Sequence, residues 1–240
     1  MRSLTYNGTM EFDSLNDSQI RANYQHKHVV DYYKEYFKGK KVLDAGCWTG
    51  TMEKEVSRRK FPCKMVGIDL NQDALNVAKK TFPKFDFYQI NLADPDPKFM
   101  KKYAGYFDSA IFLDVIEHVP VGTEGIVLQN INKLLKEGGV LITSTMNSHP
   151  FNFIDPAWFL GHRHYKASDI EILLKLSNFK SSEILKIGNL FWDIDILLLY
   201  IYKHLFHKVY KTTKFMFRQI MKGLTPQGIF ATRIYALAKK

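Results

Sequence analysis

Between Lys41 and Thr145 the sequence alternates short apolar runs with stretches of helical spacing, a pattern few folds accept. Lys41–Asp44, Lys64–Asp69, Phe85–Ile90, Phe107–Leu113 and Gly139–Thr145 read as strands, and helices are expected near Thr51–Arg59 and through Ala74–Thr81. At this pitch each strand–helix–strand step is a right-handed crossover, which sets the strands parallel and covers both faces of their sheet with helices. The flanks differ. Asn16–Phe37 reads as a helical extension with Ile20, Tyr24, Val29, Tyr33 and Phe37 turned inward. Ser168 stands where it can cap a helix over Asp169–Leu176, Phe179–Ile187 reads as a sixth strand and Gly228–Ala238 as a last one. The intervening Asn189–Lys222 has the length of a helical insert. The expectation is an α/β, doubly wound, mostly parallel sheet with helices on both faces and a helical insert before the last strand. Residues 1–38 form an extension or lid, 39–188 the core, 189–224 the insert and 225–240 the last strand.

Composition narrows the setting. At 240 residues with 46% hydrophobic and 24% charged residues, one domain with a real core is expected, and disorder, collagen and coiled coil are excluded. Two cysteines, Cys47 and Cys63, do not make a disulfide framework, so they read as small apolar residues in a reducing compartment. Met1–Asp13 has no apolar core of a secretory signal. The longest apolar run, Ile196–Tyr202, falls far short of the roughly 20 residues that span a bilayer. A cytoplasmic location is expected.

In an open parallel sheet, ligands bind beyond the carboxyl ends of the strands where strand order reverses. The first strand leaves through Asp44-Ala45-Gly46-Cys47-Trp48-Thr49-Gly50. Glycine there lets a ligand approach the backbone. The Gly46 to Gly50 spacing is not the G-x-G-x-x-G of dinucleotide binders, and no phosphate-loop lysine follows, so a pyrophosphate is disfavoured and with it a nicotinamide-dependent oxidoreductase. Asp44 suits a cationic guest instead. Asp69, ending the second strand, can accept both hydroxyls of a ribose diol. Asn91 and Leu92 follow the third strand, where a side-chain amide and a backbone N–H can read an adenine edge. The fourth strand runs into Asp114-Val115-Ile116-Glu117-His118-Val119.

Together Asp44-x-Gly46-x-x-x-Gly50, Gly67-Ile68-Asp69, Phe107-Asp108, Asp114 to Val119 and Lys136-Glu137-Gly138-Gly139-Val140 resemble the class I S-adenosylmethionine-dependent methyltransferases, over about Gly39 to Ser148. Glu117-His118-Val119 and Ser144-Thr145-Met146-Asn147 resemble the branch containing the ubiquinone-biosynthesis O-methyltransferases, and His164 to Ile170 resembles the continuation in related small-molecule and glycan enzymes. The resemblance implies a seven-stranded sheet with a reversed last strand. It implies S-adenosyl-L-methionine as cofactor and S-adenosyl-L-homocysteine as product. Gly46 and Gly50, with Cys47 and Trp48 between them, would line the methionine moiety. Asp44 would hold its ammonium, Asp69 and Leu70 would meet the ribose, Asn91 and Leu92 the adenine, and Asp114 and Val115 the sulfonium side. Two residues depart from the pattern: Trp48 replaces a usual glycine, and Asn91 stands where aspartate is common.

Glu117 and His118 have three readings: backbone caps at a helix start, a general base that orients the acceptor, or, with Asp114, the acidic and histidine ligands that some of the branch use for a divalent cation. No metal is assigned. Tyr24 on the extension, Asn147 after the fifth strand, and His162 and His164 in the acceptor-side loop are the substrate candidates. The implied reaction is in-line methyl transfer to a hydroxyl, with an amine second, of a small-molecule, lipid or sugar acceptor. The fourth strand lacks the Asn/Asp-Pro-Pro-aromatic tetrad of nucleobase and glutamine N-methylation. A cofactor-binding protein without turnover is the alternative, and Trp48 its one hint.

The net charge of +10 is local: the last 45 residues hold nine basic and no acidic residues. Lys203, His207, Lys211, Lys214, Arg218 and Lys222 recur at helical intervals beside Leu198, Tyr202, Leu205, Phe206, Val209 and Phe217, as in one basic amphipathic helix or two in succession. A substrate-covering insert, peripheral contact of 196–222 with an anionic membrane at its inner face, and a protein interface all remain open, while nucleic acid is not expected as a partner.

Overall fold

In the computed structural model, which describes residues 25–159, 161–223 and 231–240, the strand β1 (Lys41–Ala45) buries side chains on both of its faces. Val42 packs with Val29, Phe37, Met52, Val56 and Leu75; Leu43 packs with Ile68, Phe112, Leu128 and Ile131 on the other side. A strand sandwiched in this way is a central parallel strand. Its neighbours are β2 (Lys64–Asp69) and β4 (Phe107–Leu113), both parallel to it. Outward from these lie β3 (Asp86–Gln89), β5 (Leu135–Met146), β7 (Arg233–Lys239) and β6 (Ser181–Ile187), in the order β3-β2-β1-β4-β5-β7-β6. β7 runs antiparallel to both its neighbours, so the seven-stranded sheet with a reversed last strand is present. β1 leads outward to β2 and β3, whereas β4 returns to the other side of β1; strand order therefore reverses between β1 and β4.

Helices α1 (25–32), α2 (Thr51–Arg58) and α3 (Gln72–Thr81) are amphipathic against one face of the sheet, and α4 (Pro97–Tyr103), α5 (Glu124–Leu134) and α7 (Ala167–Leu176) against the other. A short α6 (Pro156–Phe159) lies in the loop after β5. Val29, Tyr33 and Phe37 are buried as expected, while Ile20 and Tyr24 lie outside the described residues. The extension is not one helix to Phe37: α1 ends at residue 32 and a 3-10 turn, Lys34–Tyr36, follows.

Other boundaries moved for local reasons. β5 begins at Leu135 rather than Gly139, because a register shift between Phe107 and Ser109 lets the polar Lys136-Glu137-Gly138 join the strand. β7 begins at Arg233, and residues 228–230 lie outside the described residues. Ser168 does not cap α7: the helix starts at Ala167, two residues before the expected Asp169, and the Asp169 carboxylate accepts the Lys166 N–H at 3.1 Å. The insert is two helices, α8 (Leu190–His204) and α9 (Lys214–Lys222), separated by non-helical residues 205–213. His207 there has φ +49°, so the basic stripe is continuous only over Lys214, Arg218 and Lys222 of α9. Asp195 of α8 ties the linker down, accepting from Tyr210 at 2.6 Å and Thr212 at 3.0 Å.

Candidate functional site

The turn after β1 folds over the end of β2, with Gly46 N and Cys47 N both donating to Ile68 O, at 2.7 and 3.0 Å. Gly46 and Gly50 each have φ +85°, where a side chain is strained. A Cβ at Gly46 would stand 2.3 Å from Val115 Cγ2, and one at Gly50 2.8 Å from the Phe82 ring. Close packing against these neighbours therefore demands glycine here, beside the open approach that a ligand needs. Trp48 holds φ +48° without that licence, and its N–H donates to Asp69 Oδ2 at 2.9 Å. The other Asp69 oxygen accepts from Asn71 N at 2.9 Å. Each oxygen keeps a free lone pair, so the half-buried carboxylate can still accept from a diol. Leu70 beside it is exposed.

Beneath the turn lie two acids. Asp44 is 5% exposed and Glu53, in the first turn of α2, is 0% exposed. Their carboxyls lie within hydrogen-bond reach of one another. Burial pushes Asp44 up to about 7, with the charge of Asp69 adding to it and the contact with Glu53 opposing it. Burial, then Asp44, lifts Glu53 well above the ordinary carboxyl range. Cys47 and Cys63 are both pushed up by burial, Cys63 to about 12, so neither is a thiolate at neutral pH.

The facing wall is the turn after β4. Asp114, at φ +54°, accepts from Ser144 Oγ at 2.8 Å, Gln25 Nε2 at 3.0 Å and the Arg233 guanidinium at 2.6 Å. Burial alone would raise its carboxyl; Arg233, Ser144 and Gln25 together hold it below the usual range. The Trp192 ring of α8 lies 5.1 Å from the same guanidinium, joining the insert to this wall. Val115 abuts Gly46, so the two turns meet.

Glu117 and His118 stand on a turn, not at a helix start, since α5 begins at Glu124. The buried Glu117 carboxyl accepts from Thr145 Oγ1 at 3.0 Å, and burial, then Asp114, pushes it up to about 8. The His118 ring sits edge-on to His162 at 4.6 Å between centroids. Burial lowers both imidazoles, and each is held further down by a neighbouring histidine, so both are neutral and able to take a proton at pH 7. Arg163 shapes the turn by donating to the carbonyls of Ile116, Glu117 and Val119 and pairing with Glu124. Among the described residues no group of three or more His, Cys, Asp or Glu is placed to hold a metal ion, and the cation facing Asp114 is Arg233.

The remaining candidates separate. His164 is buried with its Nε2 3.3 Å from Asp155 Oδ2, and a second buried pair, His149 with Asp193 at 3.0 Å, ties the loop after β5 to α8. Asn147 is buried too, its amide donating to Ala231 O at 2.5 Å, so it holds the chain leading into β7. Asn91 is exposed and accepts from Ala93 N at 3.0 Å, and the buried Leu92 gives its carbonyl to Asn130. Tyr24 lies outside the described residues. Gln25, Glu53 and Arg233 carry no motif of their own, and Ser144, though in a quoted motif, was given no role there; the roles of all four come from packing.

A family model described as a methyltransferase domain matches residues 19–183, more than half of the chain. The chain belongs to this methyltransferase family. Curated relatives of this methyltransferase include the ubiquinone biosynthesis O-methyltransferases of Marinobacter nauticus, 30% identical over 161 residues (64% of this chain, 62% of the relative), and Nitrosococcus oceani, 32% identical over 145 residues (58% and 56%). The chain thus spans about three fifths or less of the length of these relatives. Its fold matches a SAM-dependent methyltransferase from Archaeoglobus fulgidus (TM-score 0.64, 17% identity, 96% of this chain and 100% of the other). It also matches the Haemonchus contortus phosphoethanolamine N-methyltransferase 2 solved with S-adenosyl-L-methionine (TM-score 0.63, 16% identity, 90% and 52%). The methyl donor of the class is S-adenosyl-L-methionine, and the site fits it: two buried carboxyls with no cationic partner among the described residues suit its ammonium, and the half-free Asp69 suits its ribose.

Proposed function

We propose that this methyltransferase transfers a methyl group from S-adenosyl-L-methionine to a hydroxyl of a small-molecule, lipid or sugar acceptor, leaving S-adenosyl-L-homocysteine. The observation that carries the reading is the meeting of the glycine turn, with its buried acids, and the Asp114–His118 turn at the point where strand order reverses. When bound, the donor supplies a methyl carbon already activated by its sulfonium, so the protein needs to align, exclude water and remove one proton. Asp44 and Asp69 bind the amine and ribose ends, with Leu70, Asn91 and Leu92 along the nucleoside. Gly46 to Gly50 pass beneath the donor, and Asp114 and Val115 close its far side.

His118, neutral and beside His162, accepts the hydroxyl proton, and His162 orients it. Glu117, held largely protonated at neutral pH and bonded to Thr145, supports the turn rather than acting as the base. Oxygen is favoured over nitrogen because the curated relatives are named O-methyltransferases. The residues of α1, which deliver Gln25 to Asp114, cover the site as part of a lid.

The acceptor is presented at a membrane surface. Lys203, Lys208, Lys211, Lys214, Arg218 and Lys222 surround exposed Leu205, Phe206, Val209 and Phe215, on a segment without an acidic residue. Cations flanking exposed apolar side chains fit an anionic lipid headgroup layer. Among the described residues no helix is long and apolar enough to cross a membrane, and the contact proposed for this segment is a peripheral one.

Tritium transfer from the methyl-labelled donor into a metabolite and lipid extract tests the reading. A labelled product stable as an ether is expected; a labelled amine, or no label, refutes it. Asp69→Ala is expected to abolish donor binding in calorimetry. Co-sedimentation should favour phosphatidylglycerol over phosphatidylcholine vesicles, and equal partition would count against the membrane contact.

A further inference from the structure

The strongest unexplained feature is the second acid beneath the glycine turn. Glu53 lies in the first helical turn of α2, fully buried, and among the described residues neither of its carboxylate oxygens has a hydrogen-bond donor from another residue. An isolated buried carboxylate is costly, and such groups stay protonated or find a cation. Among the described residues the titratable groups facing the pair are Cys47 of the turn, Asp69 of β2 and Cys63 of the loop before β2, and none of these is a cation. Beside Glu53 is Asp44, the residue already placed at the ammonium end of the donor. Two carboxyls in contact, shielded from water and with no positive neighbour among the described residues, resist being ionised together.

We propose that Glu53 is the second half of the donor's cation subsite: it shares a proton with Asp44 before the donor arrives, and the pair surrenders that proton to solvent when the amine docks. The balance is simple. A singly protonated pair and an ammonium become two carboxylates and an ammonium, and one proton passes to the buffer. Burial raises both carboxyls; Asp44 lifts Glu53 further, while for Asp44 the contact with Glu53 opposes the rise and Asp69 adds to it. Binding is then linked to pH, with the affinity rising by a factor of ten per pH unit for each proton released. S-adenosyl-L-homocysteine carries the same amine, so the product releases the proton too. The inference rests on the donor assignment made above.

The test is titration calorimetry of the full chain with each of the two ligands, between pH 6 and 7, in buffers of different ionisation enthalpy. An α-amino group of pKa about 7.7–8.0 stays protonated in that range, so its own titration does not intrude. The expected slope of heat against buffer enthalpy is at least one proton released per ligand, with binding at least about tenfold tighter at pH 7 than at pH 6. Glu53→Gln keeps the shape of the side chain and offers its amide to Asp44; release should fall by about one proton and the pH dependence should flatten by the same measure. Thermal melts without ligand give a readout that survives a binding defect. Both carboxyls are raised in the folded state, so wild-type stability should decline as pH rises from about 4 to about 7, and Glu53→Gln should remove much of that decline. Binding without proton release, or unchanged release in Glu53→Gln, overturns the proposal. Release confined to the sulfonium form overturns the assignment to the amine. A protein that binds neither ligand at any pH refutes the donor assignment instead.

Discussion

Replacing Arg233 with Met removes the cation that joins β7 to the turn after β4. The Arg233 side chain is 10% exposed and that of Asp114 29%, with 2.6 Å between them. Removing one partner of a buried pair costs about 3–5 kcal/mol. Asp114 keeps the donors Ser144 and Gln25 and some solvent, so the lower end, about 3 kcal/mol, is expected for Arg233→Met, including the lost contact with Trp192. Asp114→Leu strands the more deeply buried charge and should cost about 4–5 kcal/mol. At roughly 2–4 °C per kcal/mol for a chain of this size, Arg233→Met should lower Tm by about 6–12 °C. The double variant should recover most of the loss, because an apolar replacement of a buried pair is often close to neutral.

Thermal and urea melts of the four proteins close the cycle and yield the coupling energy. The pH dependence follows from the sign of the Asp114 shift. A carboxyl held below its unfolded value stabilises the fold above that value, and the contribution is lost as pH falls through the folded one. The difference between wild type and Arg233→Met should therefore be constant from about pH 5 to 8 and shrink below about pH 4. Single-variant losses below about 1 kcal/mol, with coupling near zero, would refute the reasoning that this pair clamps the two strands.

Two further outcomes are expected. Gly46→Ala should cost about 2–4 kcal/mol, from a left-handed residue and from the clash with Val115, and adding Val115→Ala should restore only the packing share in urea melts. Glu117 has its carboxyl raised to about 8, so its burial weakens the fold progressively as pH rises from about 4.5 to 8; Glu117→Gln should flatten that part of the stability profile, and an unchanged slope would assign it elsewhere.

The turns proposed to hold the cofactor were legible because they are written in local sequence. A strand end, a glycine turn and a carboxylate after the next strand sit within Asp44 to Asp69, and the parallel sheet converts that spacing into adjacency. The acceptor half was not. His164 and Asn147 were read from their positions in loops, yet both are buried and engaged, with Asp155 and with the Ala231 carbonyl. Periodicity extended the basic stripe across Leu205 to Thr213, where the pairing of Asp195 with Tyr210 and Thr212 belongs to a non-helical linker.

What the sequence determined by itself is the architecture around the proposed donor site, since apolar runs at crossover spacing leave one arrangement of β1, β2 and β4, and the reversal beside β1 places the crevice. Only the tertiary structure decided which charges meet. Asp114 and Arg233 are 119 residues apart and Gln25 and Asp114 are 89 apart, and no local pattern links them. Even the nearer pair, Asp44 and Glu53, becomes an acid pair only because the glycine turn folds α2 back over the end of β1 and excludes water from both carboxyls. Burial sets the proton affinity of these groups, and burial is a property of the packed chain.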